Sequence, residues 1–135
     1  MGIMRKVERE GEHVLLHISP TYSGCPAMDT ITDDLKAAFS KNGLTAEVKL
    51  VLAPAWTTDD MSEEGKRKLE EYGIASPLKA TADKDALMGE ANMLKCPRCG
   101  STNTQLVSAF GSTACKAHFK CKDCLEPFDY FKCLR

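Results

Sequence analysis

Several things are missing from this chain, and each absence narrows the reading. No apolar run approaches the roughly 20 residues that span a bilayer. The start, Met1-Gly2-Ile3-Met4, turns charged at once, unlike a secretory leader. Charge of one sign is not in excess: 18 Lys and Arg face 19 Asp and Glu, for a net charge of −1. That argues against a strong nucleic-acid footprint and against an acidic tail. Aromatic residues make up only 7% of the chain, with a single Trp. There is no Gly-rich phosphate loop, no H-E-x-x-H and no paired-carboxylate signature, so the commonest phosphoryl-transfer and metallohydrolase chemistries have no foothold. No internal repeat or low-complexity tract is visible.

What the chain does have is cysteine, seven of them, an odd number. With no leader, they point to a reducing cytoplasm, where cysteine serves metal binding and reactivity rather than disulfides. Cys96-Pro97-Arg98-Cys99 and Cys121-Lys122-Asp123-Cys124 form two C-x-x-C knuckles. Two such turns supply the four sulfurs of one tetrahedral site, and Zn²⁺ in four thiolates is closed, hence structural. Iron in the same sulfurs is the nearest competitor. Pro97 and Gly100 suit the tight turns of a knuckle. Cys115 and Cys133 are surplus: two half-buried thiols, ligands that swap into the tetrad, or a second metal site with His118.

The periodicities predict an α+β fold. A strand over Ile3–Arg9, a turn at Glu10-Gly11-Glu12 and a central strand Val14–Ile18 come first. A helix over Pro26–Asn42 follows, with Met28, Ile31, Leu35, Ala38 and Phe39 on one face and a stop at Gly43. Ala46, Val48, Leu50 and Leu52 alternate as a half-buried strand. This order makes a crossover with parallel strands, so the expectation is a small three-stranded mixed sheet with helices on one face. A second helix is predicted over Asp59–Tyr72, capped by Thr58, with Met61, Leu69 and Tyr72 toward the sheet. Residues 1–74 then form a front domain, 75–94 a linker in which Leu87, Met88 and Met93 can dock, and 95–135 a β zinc ribbon of three short antiparallel strands. The front domain is acidic and the ribbon basic, which suits either docking to an acidic partner or a surface that complements the front domain.

Cys25 stands apart, in Pro20-Thr21-Tyr22-Ser23-Gly24-Cys25-Pro26 at a helix N-terminus. Free N–H groups there favour a thiolate, Gly24 leaves the approach open, and Thr21 and Ser23 offer hydroxyls. Asp29 works against it. A reactive or metal-accepting thiol and a buried cap fit equally. No base is committed to this thiol: His17 reads as a face-lining residue of its strand, which leaves a thiol-dependent enzyme the weakest reading. Trp56 reads as a plug over the sheet edge.

The strings Pro20–Pro26, Pro54-Ala55-Trp56-Thr57-Thr58-Asp59, Phe110-Gly111-Ser112-Thr113-Ala114-Cys115-Lys116 and Glu126–Cys133 resemble the PaaD (PaaJ) family of bacterial phenylacetate degradation. The front domain is similar to the broader iron–sulfur assembly family that includes SufT, through Thr21, Cys25 and Pro26 of a T-x-x-x-C-P loop and Pro54, Trp56 and Thr57 of a P-x-W-T loop. The resemblance implies a non-catalytic accessory role beside the multicomponent phenylacetyl-CoA epoxidase, a monooxygenase with a di-iron centre and an iron–sulfur flavoreductase. It makes Cys25 the matching reactive cysteine, a transient ligand to iron or an iron–sulfur cluster, and assigns the four knuckle cysteines to the ribbon. Members of that family begin with a helix and a D-P-E-type segment ahead of the strand matched here by Gly2–Val7. This chain begins inside that strand, either because the sequence is truncated or because this member lacks the element, so the acidic residues of that segment cannot be carried over. The implied partners are the oxygenase or the flavoreductase, and whether Cys25 holds metal alone or across a homodimer stays open. The rival readings are a structural subunit of the epoxidase and a nucleic-acid-binding ribbon.

Overall fold

The computed structural model describes residues 1–78 and 94–132. The chain forms two compact units, Gly2–Trp56 and Thr57–Arg135, the second also holding Met1.

Gly2–Trp56 carries a three-stranded sheet in the order β1-β2-β3. β1 (Met4–Glu10) and β2 (His13–Ile18) form the expected antiparallel hairpin. Gly11 turns it at a φ of 60°, a left-handed geometry that glycine reaches without strain. β2 is central and alternates strictly. Val14, Leu16 and Ile18 are at most 3% exposed, while Leu15 and His17 sit half-buried on the opposite face. Each of those buried side chains contributes about 1.5–3 kcal/mol of transfer free energy. α1 (Ala27–Ser40) then carries the chain to β3 (Thr45–Leu50), which runs parallel to β2. α1 packs on β3. Met28 is buried, and Ile31, Leu35 and Phe39 are half-buried along the same helix face. Ala38, which the spacing placed with them, is exposed. Ala46 and Val48 are half-buried as the alternation predicts, but Leu50 is 53% and Leu52 64% exposed. β3 is an edge strand, and Leu50, opposite Ile18, is the last residue of its ladder.

In the second unit two caps act in series where the sequence suggests one. The Asp60 carboxylate accepts the Thr57 N–H at 2.7 Å and closes a single 3-10 turn, Thr58–Asp60. Met61 then returns to extended backbone, and Ser62 Oγ accepts the Gly65 N–H at 3.1 Å to start α2 (Glu63–Glu71). Thr58 is therefore inside the turn and not the cap of the helix. Met61 is buried and Leu69 half-buried, but Tyr72 is 87% exposed and does not face a sheet.

β4 (Ile74–Ala75) pairs parallel with β7 (Pro127–Phe131), and the sheet order is β4-β7-β6-β5. β5 (Thr104–Ser108), β6 (Lys116–Cys121) and β7 are the three antiparallel ribbon strands expected from sequence. β4 extends their sheet, and α2 packs on β4. Composition draws a division after residue 74, whereas compactness draws it after Trp56. Phe119, Phe128 and Tyr130 fill the core, Phe119 stacked on Phe128 at 5.9 Å and edge-on to Tyr130 at 5.7 Å. Tyr130 is fully buried, and its hydroxyl accepts the Leu78 N–H at 3.2 Å. Leu94 is also in this core. Leu87, Met88, Met93 and Cys133 lie outside the described residues. No helix among the described residues is long and apolar enough to cross a membrane.

Candidate metal centre and the Cys25 loop

The two knuckles meet because β5 and β6 pair from their shared end: Thr104, just after the first knuckle, lies opposite Cys121, which opens the second. The four sulfurs of Cys96, Cys99, Cys121 and Cys124 all lie within 4.8 Å of one another. Cys96 to Cys124 is 3.7 Å and Cys99 to Cys121 is 3.6 Å. A tetrahedron with metal–sulfur bonds of about 2.3 Å has sulfur–sulfur edges of about 3.8 Å, so the set fits a tetrahedral ion. A disulfide would need about 2.05 Å, and all four are free thiols.

Each knuckle is held by its own backbone. The Gly100 N–H donates to the Cys96 carbonyl at 2.9 Å and the Cys121 N–H to the Glu126 carbonyl at 3.0 Å. The residue after the second cysteine takes positive φ in both turns: Gly100 at 74° and Leu125 at 64°. The turns aim N–H groups at sulfur. The N–H groups of Cys124 and Asp123 lower the Cys121 thiol to about 7, against a smaller effect of burial. At Cys124 the Glu126 N–H favours the thiolate, but burial and hydrogen bonds shared with the other three thiols outweigh it and push this thiol up to about 12. Cys99 shows the same contest, with the Ser101 N–H opposed by burial and neighbouring sulfurs, and it too is raised. Four thiols this close cannot all ionise alone. A bound dication would supply the missing positive charge.

Asp123 links the knuckles, and sequence reasoning missed it. Its carboxylate accepts from Asn103 Nδ2 at 2.7 Å and from the Ser101 hydroxyl, which together lower its pKa, Ser101 most. Ser101 Oγ in turn accepts the Asn103 N–H at 3.0 Å. The only sequence signal was an acid inside one knuckle and hydroxyl and amide residues just after the other.

The surplus residues sit elsewhere. Among the described residues, the four knuckle cysteines alone form a group with metal-ligand geometry. Cys115 lies at the far end of the β5–β6 hairpin, in the loop before Lys116. Its sulfur shares a hydrogen bond with Thr113 Oγ1 at 3.1 Å. Nearby, the buried Lys132 ammonium donates to the Ala109 carbonyl and lies 4.0 Å over the Phe110 ring. Burial lowers the Lys132 pKa, and the Cys115 sulfur opposes that shift. His118 Nδ1 lies 3.5 Å from Asp129, which also pairs with Lys116 at 3.2 Å.

Cys25 is half-buried and precedes Pro26, the N-cap residue of α1, which has no side-chain cap. Its carbonyl accepts the Met28 N–H at 3.2 Å. Gly24 has a φ of 85° and open space where a side chain would be. Thr21 is half-buried and Ser23 exposed. His17 bonds Glu8 at 2.8 Å on the sheet face away from α1, as a face-lining residue would. Trp56 is buried, 2% exposed.

Residues 80–132 match the family described as the PaaD zinc beta ribbon domain. An Escherichia coli (strain K12) protein, named as a component of a "Putative 1,2-phenylacetyl-CoA epoxidase", is 44% identical over 135 residues, 99% of this chain and 79% of that one. The crystal structure of a DUF59 domain from Bacillus anthracis aligns with a TM-score of 0.47 at 28% identity, over 50% of this chain and 68% of that chain. With four thiols in a two-knuckle ribbon and likeness to the Escherichia coli protein over 99% of its own length, the chain belongs to the PaaD family.

Proposed function

We propose that this protein serves phenylacetyl-CoA epoxidase in the cytoplasm as a non-catalytic accessory protein that helps install iron, as a di-iron centre or an iron–sulfur cluster. Likeness over 99% of the chain to a protein named as a component of that enzyme carries the reading. In this reading iron is cargo. Cys25 offers a thiolate ligand that takes it and lets it go, with Thr21 and Ser23 beside it. The half-buried thiol beside an uncapped helix start, with open space at Gly24, supports that role. The ribbon tetrad holds a structural ion, Zn²⁺ by its donor set, and supplies shape rather than chemistry. The test is epoxidase produced with a Cys25→Ser variant. The expected outcome is oxygenase and flavoreductase depleted in iron, while the variant keeps its fold and zinc. Normal iron content and activity would remove Cys25 from the mechanism.

The Escherichia coli protein is named as part of the epoxidase itself, which favours a second reading, a structural component of the finished complex. Co-purification with mature oxygenase at fixed stoichiometry would select it. Loss from the complex once iron is loaded would select the accessory role.

A further inference from the structure

Two surfaces unused by that reading are opposite in charge. The first is the sheet face of Gly2–Trp56 that points away from Val14, Leu16 and Ile18. One row crosses all three strands: Glu8 on β1 lies opposite Leu15 on β2, and Leu15 lies beside Glu47 on β3. The next row adds Glu10 beside His13. These residues, together with Arg9 and Val14 at the strand ends, line an open groove of about 550 Å³ in which three carboxylates, those of Glu8, Glu10 and Glu47, outnumber the one guanidinium. Glu8 is answered by Lys6 and His17, but Glu10 and Glu47 have no ion-pair partner among the described residues.

The second surface is the knuckle end of the ribbon. Leu125 is 64% exposed and has a φ of 64°, a conformation that costs a non-glycine residue about 1–2 kcal/mol. Lys95, Arg98, Lys120 and Lys122, each within two residues of a knuckle cysteine, are exposed and without an ion-pair partner among the described residues. An exposed leucine among knuckle residues that carry unpaired cations thus occurs in the same chain as a groove whose lining carries an excess of carboxylates.

We infer that the protein self-associates, with the knuckle end of one copy seated in the sheet groove of a second: Leu125 over Leu15, and Lys120 and Lys122 toward Glu10 and Glu47. The contact joins unlike surfaces, so it either closes on itself or runs on as a chain, and the measured mass says which. Charge pairs at such a rim act mainly through electrostatic attraction, so association weakens as salt rises.

The test is sedimentation equilibrium of the full-length zinc-loaded protein at low and high salt. Two charge-reversed variants are compared, Glu10→Lys/Glu47→Lys and Lys120→Glu/Lys122→Glu, each first shown to retain zinc and its circular dichroism. The wild type is expected to associate at micromolar concentration, weakening by about tenfold or more between low and high salt. Each variant alone is expected to be monomeric, because its groove and knob now repel. An equimolar mixture of the two restores association, because each reversed surface meets its complement. A wild type that stays monomeric at low salt overturns the inference and leaves the groove to a basic segment of another protein. Association that survives both reversals, or a mixture that is not rescued, overturns it as well.

Discussion

Asn103 Nδ2 donates to the Asp123 carboxylate at 2.7 Å, joining the loop that leaves the first knuckle to the interior of the second. The knuckles are therefore registered by a polar strut as well as by the β5–β6 ladder.

Removing that strut should loosen the ion without unfolding the ribbon. Asp123→Ala strands the Asn103 amide and the Ser101 hydroxyl and frees the second turn. Groups that orient metal ligands typically matter by about 10–100-fold in affinity. Competition against a zinc chelator is expected to show a loss in that range for Asp123→Ala and a smaller one for Asp123→Asn. Unchanged affinity would mean that the strut is incidental.

The two knuckle positions of positive φ should respond in opposite ways. Leu125→Gly relieves a left-handed conformation at an exposed site and is expected to raise stability by about 0.5–1 kcal/mol, after the greater freedom of glycine in the unfolded chain is subtracted. Gly100→Ala places a Cβ on the same geometry and is expected to lower it by about 1–2 kcal/mol. Chemical denaturation of the metal-loaded protein reads both.

Metal affinity should climb with pH. Without metal, Cys124 is pushed up to about 12 and Cys99 is raised, so both carry protons at neutral pH, while Cys121 at about 7 is part-ionised. Metal must displace those protons, and acid competes with it. Apparent zinc affinity is expected to fall by about tenfold or more for each unit of pH lost below neutrality, with release of protons on binding visible in calorimetry. A flat profile would contradict a thiolate tetrad.

Stripping the ion should unfold the ribbon, since structural zinc supplies on the order of 10 kcal/mol to units of this size. Chelation is expected to abolish the near-ultraviolet signal of the Phe119, Phe128 and Tyr130 cluster and to restore it when zinc returns. Persistence of that signal would show a core that stands without metal.

Tyr130→Phe tests how Leu78 is tied to the ribbon. It removes the acceptor for the Leu78 N–H at a part-buried site. The expected loss is about 1–2 kcal/mol by denaturation, because an N–H left without a partner costs more than a bond gained is worth.

The sequence by itself determined the features whose cause is local. Two C-x-x-C turns carry their ligand spacing within four residues each, and Cys96, Cys99, Cys121 and Cys124 do converge. The alternation of Val14, Leu16 and Ile18, and the helical spacing of Met28, Ile31, Leu35 and Phe39, follow from one face seeking burial, so β2, α1 and their parallel partner β3 were legible. Tertiary structure decided what depends on partners far along the chain. Two residues, Ile74 and Ala75, are too few to show a period, and they become a strand because Asp129 and Tyr130 lie beside them. Tyr72 fits the helical spacing yet faces solvent, and Leu50 fits the strand alternation yet lies at the open end of an edge strand. Asp123 could be recognised as a strut only once β5–β6 pairing brought Asn103 to it, and Leu125 as a strained knob only once its backbone angle was known. Periodicity reports that a residue has a face to bury, whereas the fold alone determines what stands opposite.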